Sequence, residues 1–292
     1  MTTYAVEVVY RGIYQRTLSQ NVCRGIVLAA RKEGKVGTAF GRYGDSPERN
    51  GIPSKYFAVV ADDDIELEES LAKYEPKEVD VSICMDDTLC KGIESWGWYG
   101  LQAINAVTKP GGTLLVVSKQ APESLMQDIH QKDAPYNMAV INGPASFSGL
   151  WVFKDDHSDV RILGALAKVC PGLVKLDSYC QAITDQWKSD AKIKSAQRSY
   201  DDIQLRPVEP AEGSHAPLFS FDKPGWEQMK EGIVIAAVAR GGGFRGGAGG
   251  YQPGRSEVFK KFSTRTMRPV VNFETCTKCT LCWLQCPDAC FD

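Results

Sequence analysis

The stretch Tyr4–Tyr10 reads YAVEVVY. Its β-branched and aromatic residues suit a pleated, largely buried surface, so a first strand is expected there. Downstream, from about Leu18 to Lys32, Val22, Ile26, Val27 and Ala30 recur on one face at helical spacing. The same alternation continues outward from this pair. Further strands are expected at Tyr56–Val60, Val79–Cys84, Thr113–Val117 and Asn137–Ile141, with helices around Trp98–Val107 and Glu123–Ile129 between two of these pairs. Helical patterns around Val160–Val169 and Ser178–Gln186 close the unit. Strands alternating with helices imply an open α/β sheet domain over residues 1–190.

Composition narrows the class. With 34 basic and 36 acidic residues the formal charge is -2, and 43% of the chain is hydrophobic against 24% charged. That balance offers no basic surface for nucleic acid or an acidic membrane. The N-terminal MTTYAVEVVYRG lacks a cationic start followed by an apolar core, and no run approaches the ~18 apolar residues of a bilayer span. A soluble, cytoplasmic protein without nucleic-acid or membrane partners is the expectation. No G-x-G-x-x-G follows the first strand, so no dinucleotide site is expected. His130, His157 and His215 form no motif, and neither a catalytic residue nor an organic-cofactor ligand is assigned to this chain.

After about Lys188 the text turns polar and carries prolines without a sustained apolar period, which reads as a linker arm over residues 191–252. Within it, Arg240–Gly250, RGGGFRGGAGG, is too rich in glycine to hold a regular element by itself. Without a basic surplus it reads as a mobile or partner-ordered loop rather than as a nucleic-acid segment.

Of the ten cysteines, five are scattered: Cys23, Cys84, Cys90, Cys170 and Cys180. These are expected to be small buried hydrophobes. The other five lie between Cys276 and Cys290, where CTKCTLCWLQCP sets Cys276, Cys279, Cys282 and Cys286 in the C-x2-C-x2-C-x3-C-P spacing of bacterial ferredoxins. Two-residue gaps let three thiolates converge on the corners of one cube. In the two-cluster arrangement the fourth, before the proline, reaches to the other cluster. Zinc is the competing reading, since C-x2-C pairs also build tetrahedral thiolate sites, but four cysteines so close together and followed by proline favour iron and sulfur. Leu281 and Trp283 would keep the cluster dry and so tune its potential, while Cys290 is expected to be a spare thiol. Residues 253–292 are thus expected to form a small ferredoxin-like α+β iron–sulfur domain carrying a 4Fe-4S centre. A second C-x2-C-x2-C-x3-C-P, which would supply a second cluster, is expected beyond Asp292.

These residues resemble a family. PGRSEVFKKFSTRTMRPVVNFETCTKCTLCWLQCPD, Pro253–Asp288, is similar to the ferredoxin-type delta part of 2-oxoacid:ferredoxin oxidoreductases. YGDSPERNG at Tyr43–Gly51 and ILGALAKVCPGL at Ile162–Leu173 resemble their gamma part. The order, gamma then delta, resembles a fused gamma–delta subunit. The resemblance implies an electron-transfer subunit: thiamine diphosphate and magnesium would sit in alpha-type and beta-type partner subunits, and electrons would leave to external ferredoxin. One departure stands out. Where the family has a glycine-rich GRGGQG turn after the first strand, this chain has Arg11, Gly12, Ile13, Tyr14, Gln15 and Arg16. Side chains at Ile13 and Tyr14 oppose a backbone cradle for an anion, which suits a substrate such as oxalate whose cleavage leaves no acyl group for coenzyme A. Arg11 and Arg16 are expected at the solvated surface.

Overall fold

The computed structural model describes residues 3–42, 53–71, 75–85, 87–90, 93–96, 100–143, 157–214, 272, 274–277 and 279. The elements in chain order are β1 (Tyr4–Arg11), α1 (Gly12–Lys32), β2 (Val36–Gly41), β3 (Pro53–Ala61), α2 (Asp64–Leu71), β4 (Val79–Cys84), β5 (Ile93–Trp96), β6 (Gly100–Ala103) and β7 (Thr108–Ser118). They are followed by α3 (Pro122–Met126), β8 (Tyr136–Asn142), α4 (Ser158–Val169), α5 (Leu176–Trp187), α6 (Asp190–Asp202) and β9 (Gln204–Val208). A short 3-10 turn, Asp87–Cys90, follows β4.

Among the described residues one seven-stranded sheet runs β2-β3-β1-β4-β7-β8-β9. Its centre, β1, β4, β7 and β8, is parallel, while β3 and β2 on one flank and β9 on the other run antiparallel to their neighbours. Parallel strands need both faces covered, which explains why LLVV at 114–117 of β7 is a continuous apolar run. On one face Val6, Val8, Tyr10, Ile83, Leu115 and Ile141 pack under α1, α4, α5 and α6. The other face is thinner: Val9, Leu114, Val116, Met138 and Val140 meet Leu89, Ile104, Leu125 and Ile129. The helical layer on one face, the short α3 with turns on the other, and the mixed sheet agree with the expected α/β class.

Two glycines set the spacing of the helical layer. A Cβ on Gly164 would stand 2.0 Å from the backbone oxygen of Ala196, so α4 and α6 touch through their main chains. A Cβ on Gly172 would lie 2.1 Å from the Tyr4 hydroxyl. Both glycines belong to the ILGALAKVCPGL stretch, whose composition is therefore a packing requirement.

Three sequence expectations are corrected. Gly100–Ala103, expected within a helix, forms β6 and pairs antiparallel with β5. The aromatic and β-branched residues of that hairpin favour a pleated surface, and periodicity does not separate short apolar runs of the two kinds. The polar text after Lys188, expected as a linker arm, forms α6 and β9. The buried residues of α6 are Lys192, Ala196 and Ser199, a stripe at i, i+4, i+7 made of small side chains and one lysine stem, so hydropathy alone does not reveal it. The helix expected from about Leu18 begins earlier: α1 starts at Gly12 directly after β1, so Gly12–Arg16 are its first residues.

The described domain ends in a clasp. Beyond β9, Ala211 N–H donates to Lys132 O (2.8 Å), Ser214 N–H to Ile129 O (2.7 Å) and Gln131 N–H to Ser214 O (3.2 Å). Because β9 is antiparallel to β8, with Val208 opposite Tyr136, the chain leaves at the amino ends of the parallel strands.

Candidate functional site

Cys276 and Cys279 are both exposed. They follow a turn fastened by Asn272, whose Oδ1 accepts from Glu274 N–H (2.9 Å) and whose carbonyl accepts from the Thr275 hydroxyl (3.4 Å). Cys282, Cys286, Leu281, Trp283 and Cys290 lie outside the described residues, as do the RGGGFRGGAGG and YGDSPERNG stretches. Among the described residues no group of three or more His, Cys, Asp or Glu side chains gathers to hold a metal. The chemistry of the C-x2-C pair nevertheless fits iron: accessible sulfur donors at the spacing a cube requires.

The five scattered cysteines behave differently. Cys23, Cys84 and Cys90 are buried, and Cys170 and Cys180 are half-buried. Burial raises the Cys23 thiol strongly, pushes Cys170 up to about 11 with Asp80 adding to the effect, and raises Cys180 with help from Asp177. Thiols held protonated at neutral pH are poor ligands and poor nucleophiles. Cys84 and Cys90 meet at 3.9 Å between sulfurs.

Open α/β sheets take their ligands at the carboxyl ends of parallel strands. Here that crest is built by Arg11 at the end of β1, Asp87 after β4, and Ser118 at the end of β7. The Ser118 hydroxyl donates to Asp87 Oδ2 (2.7 Å) and accepts from Gln120 N–H (3.0 Å), while Gly143 N–H donates to Ser118 O (3.3 Å). Arg11 N–H is taken by Gln15 Oε1 at 2.7 Å. One amide that a cradle would present to a ligand is thus satisfied within the chain. Arg11 is buried, at 2% exposure, which corrects the expectation of a solvated charge, whereas Arg16 is exposed. No local motif announces Asp87 and Ser118, since they meet only through the pairing of β4 with β7.

A second polar group lies inside the thinner layer. Lys55 Nζ reaches Glu7 Oε2 at 2.7 Å, Ser82 donates to Glu7 Oε1 at 2.7 Å, and Thr108 donates to Ser82 at 3.0 Å. All four residues are buried. Lys132 Nζ donates to the carbonyls of Asn105 (3.1 Å), Ala106 (2.9 Å) and Thr108 (2.7 Å). Desolvation lowers its pKa, opposed by Glu78 and Glu7. Sealed from solvent, the Glu7–Lys55 group is a structural device.

The histidines have modest surroundings. His157 Nδ1 lies 2.8 Å from the Ser195 hydroxyl, His130 lends its carbonyl to Asn105, and His215 is outside the described residues. No helix among the described residues is long and apolar enough to cross a membrane.

No family model matches the chain. The gamma subunit of a keto/oxoacid ferredoxin oxidoreductase from Geobacter sulfurreducens is 16% identical over 69% of this chain and 94% of that one, with a TM-score of 0.44. Subunit PORC of pyruvate oxidoreductase from Thermotoga maritima is 18% identical over 70% of this chain and 99% of that one, with a TM-score of 0.49. In sequence, 37 residues, 13% of the chain, are 43% identical to pyruvate synthase subunit PorD of Thermotoga maritima, and the match spans 37% of the length of that relative. The chain is therefore similar, in one short stretch, to a subunit of pyruvate synthase.

Proposed function

We propose that this chain is the iron–sulfur electron-transfer subunit of a thiamine-diphosphate-dependent 2-oxoacid:ferredoxin oxidoreductase. The observation that carries the reading is the C-x2-C-x2-C-x3-C-P spacing of Cys276, Cys279, Cys282 and Cys286, in a chain with a PorD-like stretch. A bound 4Fe-4S cluster supplies reversible one-electron transfer at these thiolates. The chain's own part is to hold the iron, and the exposure of Cys276 and Cys279 suits a centre that exchanges electrons with a partner protein. Thiamine diphosphate and magnesium belong to alpha-type and beta-type partner subunits, and external ferredoxin is the acceptor. A complete delta-like domain would hold two clusters.

Oxalate is the substrate this reading favours, converted to carbon dioxide without coenzyme A, as in an oxalate oxidoreductase. Its support is local: α1 begins at Gly12 with no intervening turn, and Gln15 takes the Arg11 amide. A second reading, pyruvate oxidation with coenzyme A, is favoured by the similarity to a pyruvate synthase subunit. The two are separated by viologen reduction in the complex purified anaerobically from its source, supplied with oxalate or pyruvate, each with and without coenzyme A. Oxalate turnover indifferent to coenzyme A is expected. Strict dependence on coenzyme A with pyruvate, and no oxalate turnover, would select the second reading, and a zinc-loaded, colourless subunit would end both.

A further inference from the structure

β2 ends the seven-stranded sheet, and among the described residues it pairs with β3 alone. The direction of its backbone groups follows from one bond. Arg42, next in register after Gly41 opposite Tyr56, donates its N–H to Lys55 O (2.9 Å). Antiparallel partners alternate between bonded and non-bonded pairs, so Phe40, Thr38 and Val36 also turn their N–H and C=O groups toward β3. Gly37, Ala39 and Gly41 turn theirs outward, away from the sheet.

Natural proteins guard such an edge with proline, charge or a bulge. The opposite edge, β9, carries Pro207 and Arg206. β2 reads VGTAFG, with neither proline nor charge, and its register to β3 is unbroken. Its three outward positions are also symmetric, since glycine, alanine and glycine read the same from either end. A twofold axis at Ala39 sets that residue against Ala39 of a second copy and Gly37 against Gly41. Every outward donor then meets an outward acceptor, about six hydrogen bonds in all. Phe40, stacked on Phe57 with ring centroids 5.4 Å apart, comes opposite Thr38 of the second copy, an aromatic and β-branched pair that favours strand pairing.

The flanks supply an independent observation. The large hydrophobic side chains exposed among the described residues are Leu28, Ile65 and Leu205. The first two sit on helices that touch β2. Leu28 lies on α1 next to Val27, whose Cγ2 is 3.5 Å from the place of a Cβ on Gly37, and Ile65, at 72% exposure, lies on α2. A stable interface needs apolar area beside its hydrogen bonds, because one strand pair buries too little. α1 and α2 bring such area to the same edge.

We propose that the β2 edge is the contact surface for a second copy of this chain, the two sheets joining antiparallel about Ala39 into one. Pairing consumes the unguarded edge of each copy and leaves the guarded β9 edges outside, so association stops at the dimer. This inference does not rest on the iron–sulfur reading.

Sedimentation velocity of the full-length chain between about 1 and 100 µM is expected to show a reversible monomer–dimer equilibrium. In Ala39→Cys the two substituted Cα atoms stand ~5.5 Å apart across the axis, within disulfide reach. Mild treatment with oxidised glutathione should then link the tryptic peptide of residues 36–42 to itself, as read by mass spectrometry. Ala39→Pro removes an outward N–H and no bond to β3, and Ile65→Lys places a charge on the flank. Each is expected to weaken dimerisation about tenfold or more while far-UV circular dichroism stays that of the parent. Should Ala39→Pro fail to fold, Ile65→Lys and the peptide link decide. A monomer at every concentration, which would leave the edge to a different polypeptide, overturns the proposal. So does a dimer as tight in Ile65→Lys and folded Ala39→Pro as in the parent, or a link from position 39 to any other peptide.

Discussion

Replacing Lys55 by methionine isolates the buried ion pair. Lys55 and Glu7 are 2% and 1% exposed and 2.7 Å apart, so their gross attraction at an effective dielectric near 20 is about 6 kcal/mol. Desolvation of two ions, at several kcal/mol each, offsets most of that, and the pair as a whole contributes little net stability. Removing one partner is a different matter. In Lys55→Met the Glu7 carboxylate keeps only the Ser82 hydroxyl among the contacts described above, and the expected loss is about 3–5 kcal/mol. Against a typical domain stability of roughly 5–15 kcal/mol, that is a large shift in a urea midpoint. The double variant Glu7→Leu/Lys55→Met removes both charges and should be more stable than Lys55→Met alone. Urea denaturation of the full-length chain, followed by far-UV circular dichroism, measures all four corners of the cycle. A loss below about 1 kcal/mol in Lys55→Met, or a double variant that loses the sum of both single losses, would refute the reasoning.

The cluster assignment predicts that Cys276→Ser or Cys279→Ser abolishes the brown colour and the paramagnetic signal of the reduced protein, and an unchanged signal would count against these ligands. Alkaline stability should fall: Cys170 is raised by burial from 9.0 to about 11 in the folded state, so the folded form keeps a proton the unfolded form has lost. That contribution is full below about pH 9 and disappears as pH climbs through about 11. Melting curves across this range should show a smaller decline in Cys170→Ala than in the parent, and identical slopes would contradict the assignment. Gly164→Ala places a methyl group against the Ala196 carbonyl and should cost about 1–3 kcal/mol, or ~2–12 °C in melting temperature. An unchanged melting temperature would show that α4 and α6 separate freely.

How far the fold could be read depends on where each signal resides. Val79–Cys84 is bounded in the structure where its apolar residues suggest, since a strand covered on both faces buries nearly all of its positions, Asp80 being the half-exposed one. β2, VGTAFG, is half-buried throughout and carries two glycines, so neither alternation nor hydrophobicity marks it. The α6 stripe escapes for the opposite reason: its contact with α4 is so close that only small side chains fit, and small side chains carry little hydropathy. Glu7 and Lys55 are 48 positions apart, and their pairing follows from strand register, which no local window contains. The same holds for Asp87 and Ser118 at the crest. The cysteine spacing is legible because metal ligation of this kind is itself local, whereas the surroundings that would set a cluster's potential are not written in the spacing.

The clasp at Ser214 has a mechanical consequence. Among the described residues, a pull on Ser214 enters the α/β domain at the pole away from the strand crest. It meets the bonds that the Ala211, Ser214 and Gln131 amides donate to the carbonyls of Lys132, Ile129 and Ser214 before it reaches β9. Once these give way, the edge strand peels from Val208 toward Gln204 one rung at a time. The border thus acts as a sacrificial hem: a pull at Ser214 spends itself on the clasp and the edge strand ahead of the crest of Arg11, Asp87 and Ser118.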